Sequence, residues 1–82
     1  MGYYVDILKV SEDSEHVIYE FGPDKETLGK LRLNKFTREY QLLREVPGGI
    51  TNPYCAKTLI KLFELLDNNK EFPEYLFYCS GR

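Results

Sequence analysis

The chain of 82 residues, 43% hydrophobic and 15% aromatic, is too apolar for a disordered segment and short enough to be a single domain, 1–82, with a limited core. Two cysteines and one histidine exclude a disulfide scaffold and leave no metal-ligand spacing, and no apolar run nears the ~20 residues of a membrane span. The formal net charge of −2 hides an asymmetry: seven acids face two lysines in residues 1–26, whereas residues 27–82 are net basic.

In chain order, Tyr3–Val10 is rich in aromatic and β-branched residues and reads as a strand. The opening MGYYVDILKV has no basic segment leading into an uninterrupted apolar stretch, and Asp6 stands where a myristoylation motif needs Ser or Thr. The expectation is a cytoplasmic protein with reduced thiols and no membrane attachment. Ser11-Glu12-Asp13-Ser14 makes a turn, and His16–Phe21 alternates, with Val17, Tyr19 and Phe21 on one face. Gly22-Pro23-Asp24 is expected to break that strand, because proline cannot donate to a ladder.

Leu28–Asn34 and Glu39–Val46 form a hairpin around Lys35–Arg38. Pairing Leu33 with Tyr40 and Leu31 with Leu42 puts all four on one face, expected to be core, and turns Lys30, Arg32, Asn34, Glu39 and Gln41 to the other. Arg38 stands near the end of the turn, where a left-handed residue such as Gly or Asn is usual. Pro47-Gly48-Gly49 stops the sheet in a turn that needs positive φ, and Thr51 or Asn52 caps a helix with Pro53 near its start. That helix runs from Tyr54 to about Asn68, with Ala56, Leu59, Ile60, Phe63 and Leu66 as its apolar stripe. Tyr75–Cys79 reads as a fifth strand, with a helical turn from Pro73 as the competing assignment; Ser80-Gly81-Arg82 should fray. The fold class is therefore α+β: an antiparallel meander of four strands, with a fifth C-terminal strand in view, packed on one amphipathic helix in the C-terminal half.

No constellation carries catalysis. Glu12, Asp13 and Glu15 belong to a solvated turn, and His16 has no nucleophile in an activating context. Cys55 falls in the first helical turn, where the helix N-terminus favours a thiolate, but a buried, inert thiol is the expected state. Gly48-Gly49 lacks the spacing and the Lys-Ser/Thr of a phosphate-binding loop. The chain is expected to be no enzyme and to need no cofactor or metal.

Binding is the remaining class. The basic hairpin 30–44, with Lys30, Arg32, Lys35, Arg38 and Arg44 beside Phe36 and Tyr40, suits single-stranded nucleic acid, but the register sends Tyr40 inward. Nucleic acid is therefore the alternative, and self-association through an edge strand or outer sheet face is another. In the first strand either Tyr3, Val5 and Ile7 or Tyr4, Leu8 and Val10 must face away from the core, joined there by Ile18 and Leu43.

The motifs GKLRLNKFT, with Arg38 following where the pattern usually has Gly, then VPG, and later EFPE resemble those of small bacterial immunity proteins of polymorphic-toxin and contact-dependent growth-inhibition systems. The resemblance spans residues 17–75 and implies a non-enzymatic inhibitor that covers a toxin's active site or a neighbouring surface. It carries over no functional residues. For such a protein partner, the expected contact set is an acidic, partly apolar surface of Glu12, Asp13, Glu15, Ile18, Asp24 and Glu26. Against a nuclease with a cationic groove, those acids would mimic substrate charge and speed association. The chain itself is expected to be a monomer or weak homodimer.

Overall fold

Alternating apolar residues decide which face of the sheet is buried. The computed structural model describes residues 4–49 and 51–79, so Tyr3 and the Ser80-Gly81-Arg82 tail lie outside the described residues. Strands β1 (Tyr4–Glu12), β2 (His16–Asp24), β3 (Thr27–Asn34) and β4 (Tyr40–Arg44) form the meander. Helix α1 (Asn52–Asp67) follows, and β5 (Tyr75–Cys79) completes the chain order. All pairings are antiparallel, in the order β4-β3-β2-β1-β5, so the C-terminal aromatic segment is a strand rather than a helical turn.

Helix α1 covers one face. Val5 and Ile7 of β1, Val17, Tyr19 and Phe21 of β2, and Leu31 and Leu33 of β3 meet it there, with Val46, Cys55, Leu59, Leu62 and Phe72. The Tyr19 hydroxyl, reaching through this core, donates to the Pro73 carbonyl at 2.6 Å. Its desolvation and the nearby Glu12 and Glu74 charges push the phenol pKa well up.

The hairpin pairs Leu33 with Tyr40 and Leu31 with Leu42, the register that parity requires. Two of those four residues are nevertheless not core. Tyr40 is 52% exposed and Leu42 38% exposed, because β4 is an edge strand beyond the reach of the single helix. The helix stripe is also rotated from its expected position. Cys55, Thr58, Leu59 and Leu62 are buried, Phe63 and Leu66 pack at the margin, and Ala56 and Ile60 face solvent. Thr58 can occupy the core because its hydroxyl donates to the Tyr54 carbonyl at 2.8 Å.

The turns keep their expected chemistry with changed detail. Asn34 Oδ1 accepts the Phe36 and Thr37 amides, and Arg38 adopts the left-handed conformation at φ 66°. Its guanidinium pairs with Asp67 at 2.7 Å and lies over Phe63, which ties the turn to the end of the helix. Strand β2 does not stop at Gly22 but continues to Asp24 through a shift in register after Phe21. Such a bulge accommodates Pro23 without a ladder donor. A side chain at Gly22 would collide with the Thr27 carbonyl, since a Cβ there falls 1.9 Å from that oxygen. Gly48 and Gly49 both have positive φ. Thr51 precedes the helix, but its hydroxyl accepts the Val46 amide at 3.0 Å instead of capping the first turn.

Replacing Leu62 by Ala should destabilise the protein by about 2–5 kcal/mol, whereas Ile60→Ala should change it by no more than about 0.5 kcal/mol. Urea denaturation of the two variants checks this, and equal losses would contradict the helix orientation.

Candidate functional site

The face of the sheet opposite α1 has no covering layer among the described residues. Residues on it follow from register. Tyr75, Leu8, Glu20, Lys30 and Arg44 form one row across the five strands, and Ser11, Ile18, Arg32 and Gln41 form part of the next. Beyond the first row, Phe77 sits opposite Asp6 and Cys79 opposite Tyr4. The face therefore grades from aromatic at the β1–β5 side to charged at the β3–β4 side.

The aromatic end is organised around a buried carboxylate. Asp6 is 4% exposed, and its Oδ1 accepts the Tyr75 hydroxyl at 2.5 Å and the Tyr4 hydroxyl at 3.0 Å. The bond to Asp6 and the one to Tyr4 raise the Tyr75 phenol pKa strongly. The rings stand above this network. Tyr4 stacks on Phe77 with centroids 6.0 Å apart, Tyr75 neighbours Phe77 at 6.5 Å, and Lys25 Nζ lies 4.9 Å from the Tyr75 centroid. Tyr4 is 45% exposed, Tyr75 39% and Phe77 52%. Hydrogen bonds that fix the phenols in place leave rigid, amphipathic surfaces, which favour binding at low entropic cost.

At the charged end the side chains are paired with one another. Arg44 Nη2 reaches Glu20 at 2.8 Å, and Arg32 donates to Gln41 Oε1 at 2.6 Å. Ile18 lies among these residues, half-buried on β2 and opposite Arg32.

The acids expected to form one partner surface are divided by β2. Glu12, Asp13 and Glu15 lie at the β1–β2 turn, while Asp24 and Glu26 lie at the β2–β3 turn. A nine-residue strand separates them by about 30 Å at ~3.3 Å per residue. Several also have structural partners. Glu12 is bracketed by Lys35 at 2.5 Å and Lys9 at 2.8 Å, and Lys9 also donates to the Phe72 carbonyl. Asp13 Oδ1 accepts the His16 and Glu15 amides, and Asp24 Oδ1 accepts the Glu26 amide. Glu15 stands 3.9 Å from His16 Nδ1. Ile18 alone of the set belongs to the open face. The structure thus joins the first three acids, separates them from the last two, and places the aromatic trio elsewhere.

Tyr4, Tyr75 and Phe77 are the residues that sequence reasoning did not assemble. Their signal is the alternation in YLFYC, which places Tyr75, Phe77 and Cys79 on one face once the segment is a strand. Combining them with Tyr4 needed the parity of β1 as well.

Among the described residues no three His, Cys, Asp or Glu side chains converge as metal ligands, and no helix is long and apolar enough to cross a membrane. Burial pushes the Cys55 thiol pKa up despite its place near the helix N-terminus, and both cysteines are free. No protein-family model, no curated protein and no solved structure matches the chain.

Two expectations follow. A thiol reagent at neutral pH should modify exposed Cys79 about tenfold or more faster than buried Cys55, and equal rates would contradict their assigned burial. Lys35 and Lys9 hold the Glu12 carboxyl below its ordinary pKa. Its stabilising contribution is therefore present at neutral pH and is lost as pH falls through the lowered folded-state value. Glu12→Gln should lower stability at pH 7 and flatten the acid limb of a stability-versus-pH curve, and an unchanged limb would contradict the assignment.

Proposed function

We propose that the chain is a non-enzymatic protein-binding module that docks its partner on the helix-free face of the sheet. The observation that carries this reading is the exposed, hydrogen-bond-anchored group of Tyr4, Tyr75 and Phe77 on that face. Aromatic anchors of this type dominate binding energy at protein interfaces, with charged residues serving as a rim. Arg44, Glu20, Lys30 and Arg32 occupy the rim position here.

Within that class, the proposed partner is a toxin domain that the chain neutralises by direct binding in the cytoplasm, as the immunity-protein resemblance implies. The acids at the two ends of β2 then act at a distance from the anchor, chiefly on association rate. A second reading, single-stranded nucleic acid, draws on the same face, where stacked rings and Lys30, Arg32 and Arg44 occur together. The Arg44–Glu20 pair and the net charge of −2 weigh against it.

Titration of candidate toxin domains, read by calorimetry for affinity and by stopped-flow for association rate, tests the proposal. Tyr4→Ala should weaken binding about 30-fold, the scale of a hot-spot truncation of about 2 kcal/mol. Reversing Asp24 and Glu26 to lysine should change mainly the association rate and its salt dependence. Unchanged affinity in Tyr4→Ala would remove the open face as the docking site, and steeply salt-dependent oligonucleotide binding by the wild-type chain would favour the second reading.

A further inference from the structure

The two edges of the sheet differ in a way that assigns them different roles. Edge strands present unpaired amides and carbonyls to solvent, and proteins that remain apart blunt them with charge, proline or bulges. Strand β4 is blunted: it ends in Arg44, follows Arg38 and Glu39, and shifts register between its pairs with Leu31 and Lys30. Strand β5 is not blunted. Its five residues, YLFYC, contain no charge and no proline, and they pair with β1 in unbroken register.

The hydrogen-bond phase of β5 shows which groups are free. The Lys9 amide donates to the Glu74 carbonyl at 2.8 Å, and alternation along an antiparallel ladder then directs Leu76 and Tyr78 toward β1. Tyr75, Phe77 and Cys79 consequently turn their amides and carbonyls outward. These are also the residues whose side chains stand on the open face.

We infer that β5 pairs antiparallel with β5 of a second copy of this chain, about a two-fold axis at Phe77. This register is the one that uses all three outward-facing residues: Phe77 opposes Phe77, and Tyr75 opposes Cys79, in each direction. A two-fold axis normal to the sheet keeps both helices on one side, so side chains of the open face meet side chains of the open face. Leu76 meets Tyr78 on the helix side, and no charged side chain of either strand is brought opposite another. Lys61, which flanks this edge from α1, has Glu64 at 3.8 Å as its own partner. The resulting sheet joins the two aromatic groups into one surface centred on the axis. This association is a property of the edge and holds whether or not the open face binds a toxin.

Sedimentation equilibrium on the full chain across the micromolar-to-millimolar range tests the pairing. The weight-average mass should rise from 9.7 kDa toward twice that value. Over the same range, NMR amide exchange should slow at Tyr75, Phe77 and Cys79. It should stay constant at Tyr40 and Leu42, whose amides face outward on the β4 edge by the same alternation from the Asn34–Glu39 bond. Phe77→Pro removes an outward donor without touching the β1 ladder and should hold the chain monomeric. A mass that stays at one chain throughout overturns the inference and leaves the edge to a strand of another protein. A dimer in which the three β5 amides exchange freely overturns it as well, because the contact then lies elsewhere.

Discussion

One helix must shield one face of a sheet five strands wide, and much of the structure follows from that mismatch. Five strands at ~4.8 Å spacing span about 19 Å, whereas a helix with its side chains is about 10–12 Å across. Helix α1 can close over the central strands but cannot reach both edges, and among the described residues nothing covers the opposite face. Val5, Ile7, Val17, Tyr19, Phe21, Leu31 and Leu33 fall within its cover, and Tyr40 and Leu42 on β4 fall outside. Total stability for a chain of this size is on the order of 4–12 kcal/mol, so the few fully covered side chains account for most of it.

The uncovered face then needs internal satisfaction of any polar group it buries. Asp6 meets this need by accepting two tyrosine hydroxyls, which simultaneously pins β5 to β1 and sets the rings in place. At the other end of the molecule, Glu12 between Lys9 and Lys35 ties β1 to the turn after β3, and Lys9 extends the tie to the segment before β5. Glu12, one of the acids expected at a docking surface, thus also has a structural role. A salt bridge of this partly exposed kind contributes modestly by itself, but the network holds three segments in register.

Most of the architecture was legible because strand periodicity is strict. A one-residue slip in the hairpin would have set Leu31 and Leu33 beside Gln41 and Glu39 instead of Leu42 and Tyr40, so parity alone fixed the pairing. Arg38 at positive φ and the Gly48-Gly49 turn were equally readable from backbone chemistry. The exposure of Tyr40 and Leu42 was not readable, since parity states which face a residue takes and not how far a covering helix extends. The helix stripe was misplaced because Cys55 and Thr58, both buried, carry a weaker apolar signal than exposed Ile60. The open-face aromatics needed two facts that no local pattern supplies: the parity of β1 and the return of the chain after α1 to pair β5 with it.

Hydroxyl-radical footprinting of the dilute chain tests the arrangement of covered and open faces most directly. Phe77, Tyr40 and Phe36 should be heavily modified, and Tyr19, Phe21 and Phe72 protected. Modification of Tyr19 and Phe21 together with protection of Phe77 would contradict this arrangement and place the helix on the other face.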